Sequence, residues 1–311
     1  MGLKGKLMHG TVCGMNQFTK AHWQTLAVFQ AVREPISHEC LEALSPLHSL
    51  EVSELLKRAG AQGIIQDAGD GRYALAERLS PQVLKRLARM NTRKAVTFLV
   101  TQLNRLDLQE RFSVSTRIDL LLKAGFDYEA ALLAEEAARK AVLSGDKKGA
   151  IDLLKKAVRV IDPHQGNLEW DTLLITVINE LCRLMINIAR DLPDIPGLLG
   201  KARLVAERIG DQRTLARCDL VMGLFNYVIG RTNEGLDLIS RGLNQTEAIG
   251  DDDIMAISAE FRGIYYYLKG MYKEAVDAFD QVVRTEGMHA GKIIPSFLPE
   301  HLASSSALGY I

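Results

Sequence analysis

Few residues in this chain could do chemistry, and none has the neighbours that chemistry needs. His38-Glu-Cys-Leu-Glu42 opens like the His-Glu-x-x-His helix of zinc hydrolases. A glutamate replaces the second histidine, so only one ligand would project from that face. The stretch reads as the surface of a short helix. Gly287-Met-His-Ala-Gly-Lys-Ile293 imitates a phosphate-binding loop, with one residue too few between its glycines and an isoleucine where a magnesium-binding hydroxyl belongs. It reads as an inter-repeat loop. His22, His48, His164, His289 and His301 stand apart from any cysteine or serine nucleophile context, and no Gly-x-Ser-x-Gly elbow occurs. Cys13, Cys40, Cys182 and Cys218 are scattered without a Cys-x-x-Cys pair, which predicts reduced thiols rather than a zinc site or a disulfide framework. Asp251, Asp252 and Asp253 read as carboxylates that cap a helix start. These residues predict a chain that is not an enzyme and takes no cofactor or metal.

The elements beneath these residues announce themselves by repetition. Glu207-Arg-Ile-Gly-Asp211 returns forty residues later as Glu247-Ala-Ile-Gly-Asp251. After the first copy come Gly223, Asn226, Gly230, Gly235, Ile239 and Gly242; after the second, at equal offsets, come Gly263, Tyr266, Gly270, Ala275, Phe279 and Val282. Small residues fall where two helices touch, a glycine falls near the end of the first helix, and an aliphatic or aromatic wedge falls in the second. A hairpin of that kind cannot bury its apolar face alone, so neighbours must stack. Earlier in the chain, residues 114–123, 128–143 and 147–161 read as helices, the last ended by Asp162-Pro163. A distorted hairpin follows over 172–209, its turn broken by Pro193 and Pro196, and regular ones over 213–249 and 253–286. Residues 301–311 read as the first helix of a fifth hairpin whose partner is missing, as expected of a truncated chain, a split gene or a fragment of a longer protein.

Ahead of the repeats lies a smaller unit. Residues 19–32 predict a helix capped by Thr19 and stopped before Glu34-Pro35, a short helix follows from Ser37, and a third runs from Ser49 to Ala59. Leu50, Leu55, Leu56 and Ala59 are expected to face inward, with Gly60 as the stop. The period then becomes extended. Gly63-Ile-Ile-Gln66, the glycine-rich turn 67–71 and Arg72-Tyr-Ala-Leu75 predict a β-hairpin. Three helices and a β-hairpin make a winged helix.

With 311 residues, 47% hydrophobic, the chain can bury a substantial core. Formal net charge is zero, but residues 1–106 carry 14 Lys/Arg against 8 Asp/Glu, and residues 107–311 carry 24 against 30. Residues 78–106 hold Arg78, Lys85, Arg86, Arg89, Arg93, Lys94 and Arg105 and no Asp or Glu. This segment reads as a solvated face or an electrostatic contact, and it lacks the successive aromatics of a single-strand nucleic-acid platform. No apolar run reaches membrane-spanning length and the basic start lacks a signal-peptide core, which predicts a cytoplasmic protein without membrane contact.

Residues 27–37, 55–60 and 71–75 resemble the winged helix of the signal-transduction ATPases with numerous domains, a group typified by the maltose-regulon activators. Residues 122–130 and 145–154 resemble the first hairpins of that family's sensor. Gly263, Tyr266, Gly270, Ala275 and Phe279 match signature positions of the tetratricopeptide repeat in its roughly forty-residue form. The resemblance implies a mainly α protein, a small winged-helix head followed by an α-solenoid of tetratricopeptide-like helical hairpins. The domains are then a flexible start over 1–18, the winged helix over 19–92, a helical connector over 93–126 and repeats over 127–311, the last incomplete. The family's ATPase core is missing, since no phosphate-binding loop occurs.

In such arrays the first helix of each pair lines the concave surface. That places Arg139 with Glu135, Asn187 with Glu180, Arg217 with Tyr227, and Glu260 with Tyr267 as contacts for a protein, peptide or small effector, with Tyr227 stacked above Tyr267. Lys57, Arg58, Arg72, Lys85, Arg86, Arg89 and Arg93 are the candidates for nucleic-acid or docking contacts in the head. The third helix also carries Glu51 and Glu54, which would face phosphates, so DNA-binding transcriptional regulation is the alternative to a non-catalytic sensor or adaptor.

Overall fold

The computed structural model describes residues 17–250 and 252–288 and is mainly helical, with fourteen α-helices and three short strands among the described residues. The chain divides into two compact units between Leu133 and Ala134.

The first unit begins with α1 (Lys20–Val32), β1 (Ile36–Ser37), α2 (His38–Leu44) and α3 (Ser49–Ala61). Strands β2 (Ile65–Gly69) and β3 (Arg72–Leu75) follow, then α4 (Pro81–Met90), α5 (Arg93–Arg105) and α6 (Val114–Ala124). Thr19 caps α1 as its sequence predicts, accepting from the His22 N–H. The hairpin is present, and a strand the sequence does not announce completes an antiparallel sheet in the order β1-β3-β2. Two residues, Ile36 and Ser37, pair with Tyr73 and Arg72, a strand too short for any alternation to reveal. Two expectations for α3 need correction. The helix passes through Gly60 to Ala61, with Gln62 as its C-cap and the left-handed residue at Gly63 (φ 65°). Leu50 is 83% exposed; Val52 takes its place with Leu55, Leu56 and Ala59, completing an i, i+3, i+4, i+7 stripe.

One hydrophobic cluster holds this unit together, running from Phe18 and from Trp23 and Phe29 of α1 to Val96, Leu99, Val100 and Leu103 of α5 and Leu120 and Ala124 of α6. Helix ends are closed by side chains from other helices, which satisfies carbonyls that would otherwise lack partners. Lys123 Nζ donates to Ala31 O (3.2 Å) and Thr116 Oγ1 to Val32 O (3.3 Å) at the end of α1. Arg93 Nε donates to Ala124 O (3.1 Å) at the end of α6. Glu34 works at the opposite pole, its carboxylate accepting from the Ser113 N–H (3.1 Å) and from the Ser113 and Thr116 hydroxyls at the start of α6.

The division into units falls within α7 (Asp127–Leu143). The second unit continues with α8 (Lys147–Ile161), α9 (Leu168–Asn187), α10 (Ile195–Ile209), α11 (Gln212–Val228), α12 (Thr232–Ile249), α13 (Asp252–Leu268) and α14 (Tyr272–Met288). From α8 onward each helix packs against the next, the stacking that the forty-residue echo requires. Pro196 sits in the first turn of α10, where its missing N–H costs nothing, so it starts a helix rather than breaking a turn. Gly287 and Met288 are the end of α14, not part of a loop; the rest of that motif and residues 301–311 lie outside the described residues, as does the capping expected of Asp251, Asp252 and Asp253.

The equal glycine offsets have a direct cause. A methyl group on Gly223 would stand 2.7 Å from Gly235 O and one on Gly235 would stand 2.7 Å from Gly223 O, so α11 and α12 touch backbone to backbone. In the next hairpin a methyl on Gly263 would strike the Phe279 ring at 2.4 Å.

Two measurements check these contacts. Gly223→Ala is expected to cost about 1–3 kcal/mol in urea unfolding, because the obstructing atoms are backbone, whereas Gly200→Ala in α10, which meets nothing within 4 Å, should gain about 0.5–1 kcal/mol. Glu34 is pushed up by burial, but the hydrogen bonds from Ser113 and Thr116 outweigh this and hold it below its ordinary 4.5. Its contribution is therefore present above that value and lost as pH falls through the folded pKa. Glu34→Gln should lower the melting temperature at pH 7, and the gap to wild type should narrow as pH falls below 4.5.

Candidate functional site

The first helices of the hairpins carry polar groups in an otherwise apolar interior. Helix α9 is buried along most of its length, yet encloses Asn179, Glu180 and Arg183. Arg183 Nε donates to a Glu180 carboxylate oxygen (2.9 Å), and its Nη2 donates to the other oxygen. Arg217 comes from α11 and Glu260, 3% exposed, from α13. Burial lowers the Arg217 pKa; Glu180 opposes this, Arg183 adds to it, and Glu260 opposes it again. Arg217 thus stands in the field of charges from both neighbouring first helices. Two carboxylates and two guanidiniums balance, the condition under which enclosed charges are tolerable.

Asn179, Arg183 and Asn187 fall at i, i+4 and i+8 on α9, one stripe of the helix. Asn179 is 5% exposed and its Oδ1 is shielded from solvent without a hydrogen-bond donor; the Oδ1 of half-buried Asn187 is shielded in the same way. The stripe therefore holds two shielded carbonyl oxygens beside a balanced charge cluster, a polar seam within an otherwise apolar packing. It offers no activated nucleophile. Burial pushes the Cys218 thiol up to about 11, with Arg203 opposing and Asp219 adding, and burial with Cys218 nearby pushes Cys182 up as well.

A second carboxylate fixes the helices on which this cluster rests. Asp219 of α11, 1% exposed, accepts from Arg203 Nη2 of α10 (2.8 Å) and from Arg241 Nε of α12 (2.8 Å). Asp171 at the start of α9 is likewise enclosed, accepting from Arg208 Nη2 of α10 (2.7 Å) and from the Gly166 N–H (3.1 Å).

The predicted contact residues fare differently. Arg217 is half-buried and Glu260 buried, both within the charge cluster. Glu135 is buried and pairs with Arg139 (2.8 Å), whose own side chain is exposed. Tyr267 meets Tyr272 edge-on, with centroids 5.8 Å apart, and a Tyr227–Tyr267 stack is not among the ring contacts of the described residues. Asn179 and Arg183 escaped the sequence reading, although two polar types within an apolar twenty-residue helix were the signal for them.

Several head candidates are engaged at home. Arg58 donates to Gln17 O (2.9 Å) and lies over the Phe18 ring, Arg86 lies over the Trp23 ring, and Arg93 closes α6. Arg72 pairs with Asp70 at the surface (3.4 Å). Lys57, Lys85 and Arg89 remain exposed. Among the described residues no helix is long and apolar enough to cross a membrane, and no group of three or more His, Cys, Asp or Glu is placed to hold a metal ion.

No protein-family model matches the chain, and no curated protein matches it. Among solved structures it is similar to a signal-transduction ATPase with numerous domains that carries a tetratricopeptide repeat sensor, from Pyrococcus horikoshii, at 17% identity and a TM-score of 0.38. The match covers 95% of this chain and 48% of that one, so this chain spans about half that protein's length. At this level of similarity, what that protein does is not carried over to this chain.

Asp219→Ala is expected to cost roughly 1–3 kcal/mol, because two partly exposed guanidiniums lose charge-assisted hydrogen bonds to their shared partner. Lys140→Ala, which breaks the exposed Lys140–Glu136 pair, should cost less than about 0.5 kcal/mol. Urea denaturation of both variants checks the difference.

Proposed function

We propose that this chain is a non-catalytic, cytoplasmic sensor or adaptor whose tetratricopeptide-like second unit binds a protein, peptide or small effector along its first helices. What carries this reading is the enclosed polar stripe of α9 beside the Glu180, Arg183, Arg217 and Glu260 cluster. A purely structural core would be cheaper if apolar, and this one keeps four charged side chains and two amides on its first helices. Arg139, Asn187, Tyr227 and Tyr267 are the more accessible of the expected contacts. In this reading the cluster discriminates among ligands while these residues supply contact area. The first unit, read as a winged helix, serves as a docking module. Duplex DNA is the poorer occupant for it, because α3 presents Glu51, Glu54 and Leu50 to solvent and the Arg72 charge is already paired.

A pull-down from native lysate compares the intact chain with a Tyr227→Ala/Tyr267→Ala double variant, both shown to be folded by circular dichroism. A partner retained by the intact chain should fall at least about tenfold in the variant. Identical recovery by both chains, or recovery of nucleic acid alone, sinks the reading.

A further inference from the structure

Helix α5 of the first unit has two faces of opposite character. Val96, Leu99, Val100 and Leu103 are buried in the core of the unit, none more than 6% exposed. On the other side Lys94, Phe98, Thr101 and Arg105, spaced four, three and four residues apart, form one exposed stripe. Phe98 is 61% exposed at its centre. The helix rise puts Lys94 about 6 Å to one side of it along the axis and Arg105 about 10 Å to the other. Among the described residues neither cation has an ion-pair partner, in contrast to Arg93 on the same helix, which closes α6.

A lone exposed phenylalanine is ordinary on a protein surface. This one stands between two unpaired cations in a stretch, 78–106, that contains seven Lys/Arg and no Asp or Glu. The helix needs none of the three outward side chains for its own packing, and no carboxylate in its own stretch balances the charge.

We propose that this stripe is a docking surface for an acidic amphipathic segment of a partner protein, one apolar side chain covering Phe98 and carboxylates meeting Lys94 and Arg105. Charge complementarity sets the sign of the partner, and the aromatic at the centre sets its apolar component. Nucleic acid fits less well. Phe98 is the one aromatic residue in 78–106, whereas a single-strand platform stacks successive bases on successive rings. The further apolar exposures in the stretch, Leu84 and Leu106, are aliphatic and offer a phosphate chain nothing. A lipid surface would need a continuous apolar face, and one ring between two cations does not supply it. This surface is separate from the first-helix stripe of the second unit, so either can fail without the other.

The test uses the full chain and a fluorescein-labelled helical peptide of about fifteen residues with leucine flanked by glutamates one and two turns away, matching the stripe. Polyglutamate of equal length, a thymidine oligonucleotide and anionic vesicles are the comparison probes, all read by anisotropy or sedimentation. Phe98→Ala should weaken peptide binding about tenfold and Lys94→Glu/Arg105→Glu about a hundredfold. All these side chains are exposed, so circular dichroism and melting should match wild type, and Lys140→Glu in α7 should bind as wild type. Polyglutamate should bind more weakly than the peptide and be indifferent to Phe98→Ala. The proposal is overturned if the peptide does not bind, if polyglutamate binds equally well, or if the oligonucleotide or the vesicles bind more tightly and are lost in the charge-reversal variant.

Discussion

The second unit depends on how closely helices can approach within a hairpin. Where Gly223 faces Gly235, α11 and α12 meet with no side chain between them, and such closeness leaves no room for water. Polar groups on the inner helices then depend chiefly on partners within the protein. The balanced quartet of Glu180, Arg183, Arg217 and Glu260 and the doubly paired Asp219 are arrangements of that kind. Tight packing and enclosed charge are thus one feature seen at two scales, since the first creates the low-polarity environment that makes the second demanding.

The first unit is held by a different device. Its helices are short, and short helices leave a large share of their backbone groups at the ends. Lys123, Thr116 and Arg93 close carbonyl ends, and Glu34 closes an amide end, so the C-terminal helices of the unit are bound to α1 and to each other by polar contacts at its rim as well as by the shared apolar core. These contacts occupy cations that, counted by sequence alone, look available to a partner.

Much of this was legible beforehand, for identifiable reasons. The echo at forty residues located α11 to α14 because small residues at helix contacts admit few alternatives, and Thr19, Pro163 and the glycine-rich turn at 67–71 mark boundaries by local stereochemistry. What escaped was whatever depends on a neighbour in space. Leu50 and Val52 are equally apolar, and only the placement of α3 on its core chooses Val52. Glu260 looks like a surface residue because charge usually implies solvent; it is buried, and Arg217 of the preceding first helix lies half-buried in its field. Tyr267 lies one repeat after Tyr227, yet it meets Tyr272 across its own turn, since a ring packs on whatever its rotamer reaches first.

Asp219 has one further consequence. Its carboxylate is shared between Arg203, in the helix before it, and Arg241, in the helix after it. If α12 frays, Asp219 keeps one guanidinium and loses the other, so the interface with α10 inherits part of the damage. Nearest-neighbour stacking would by itself let each hairpin open alone. A shared buried anion couples α10 to α12, so their amide protons are expected to exchange as one block rather than helix by helix.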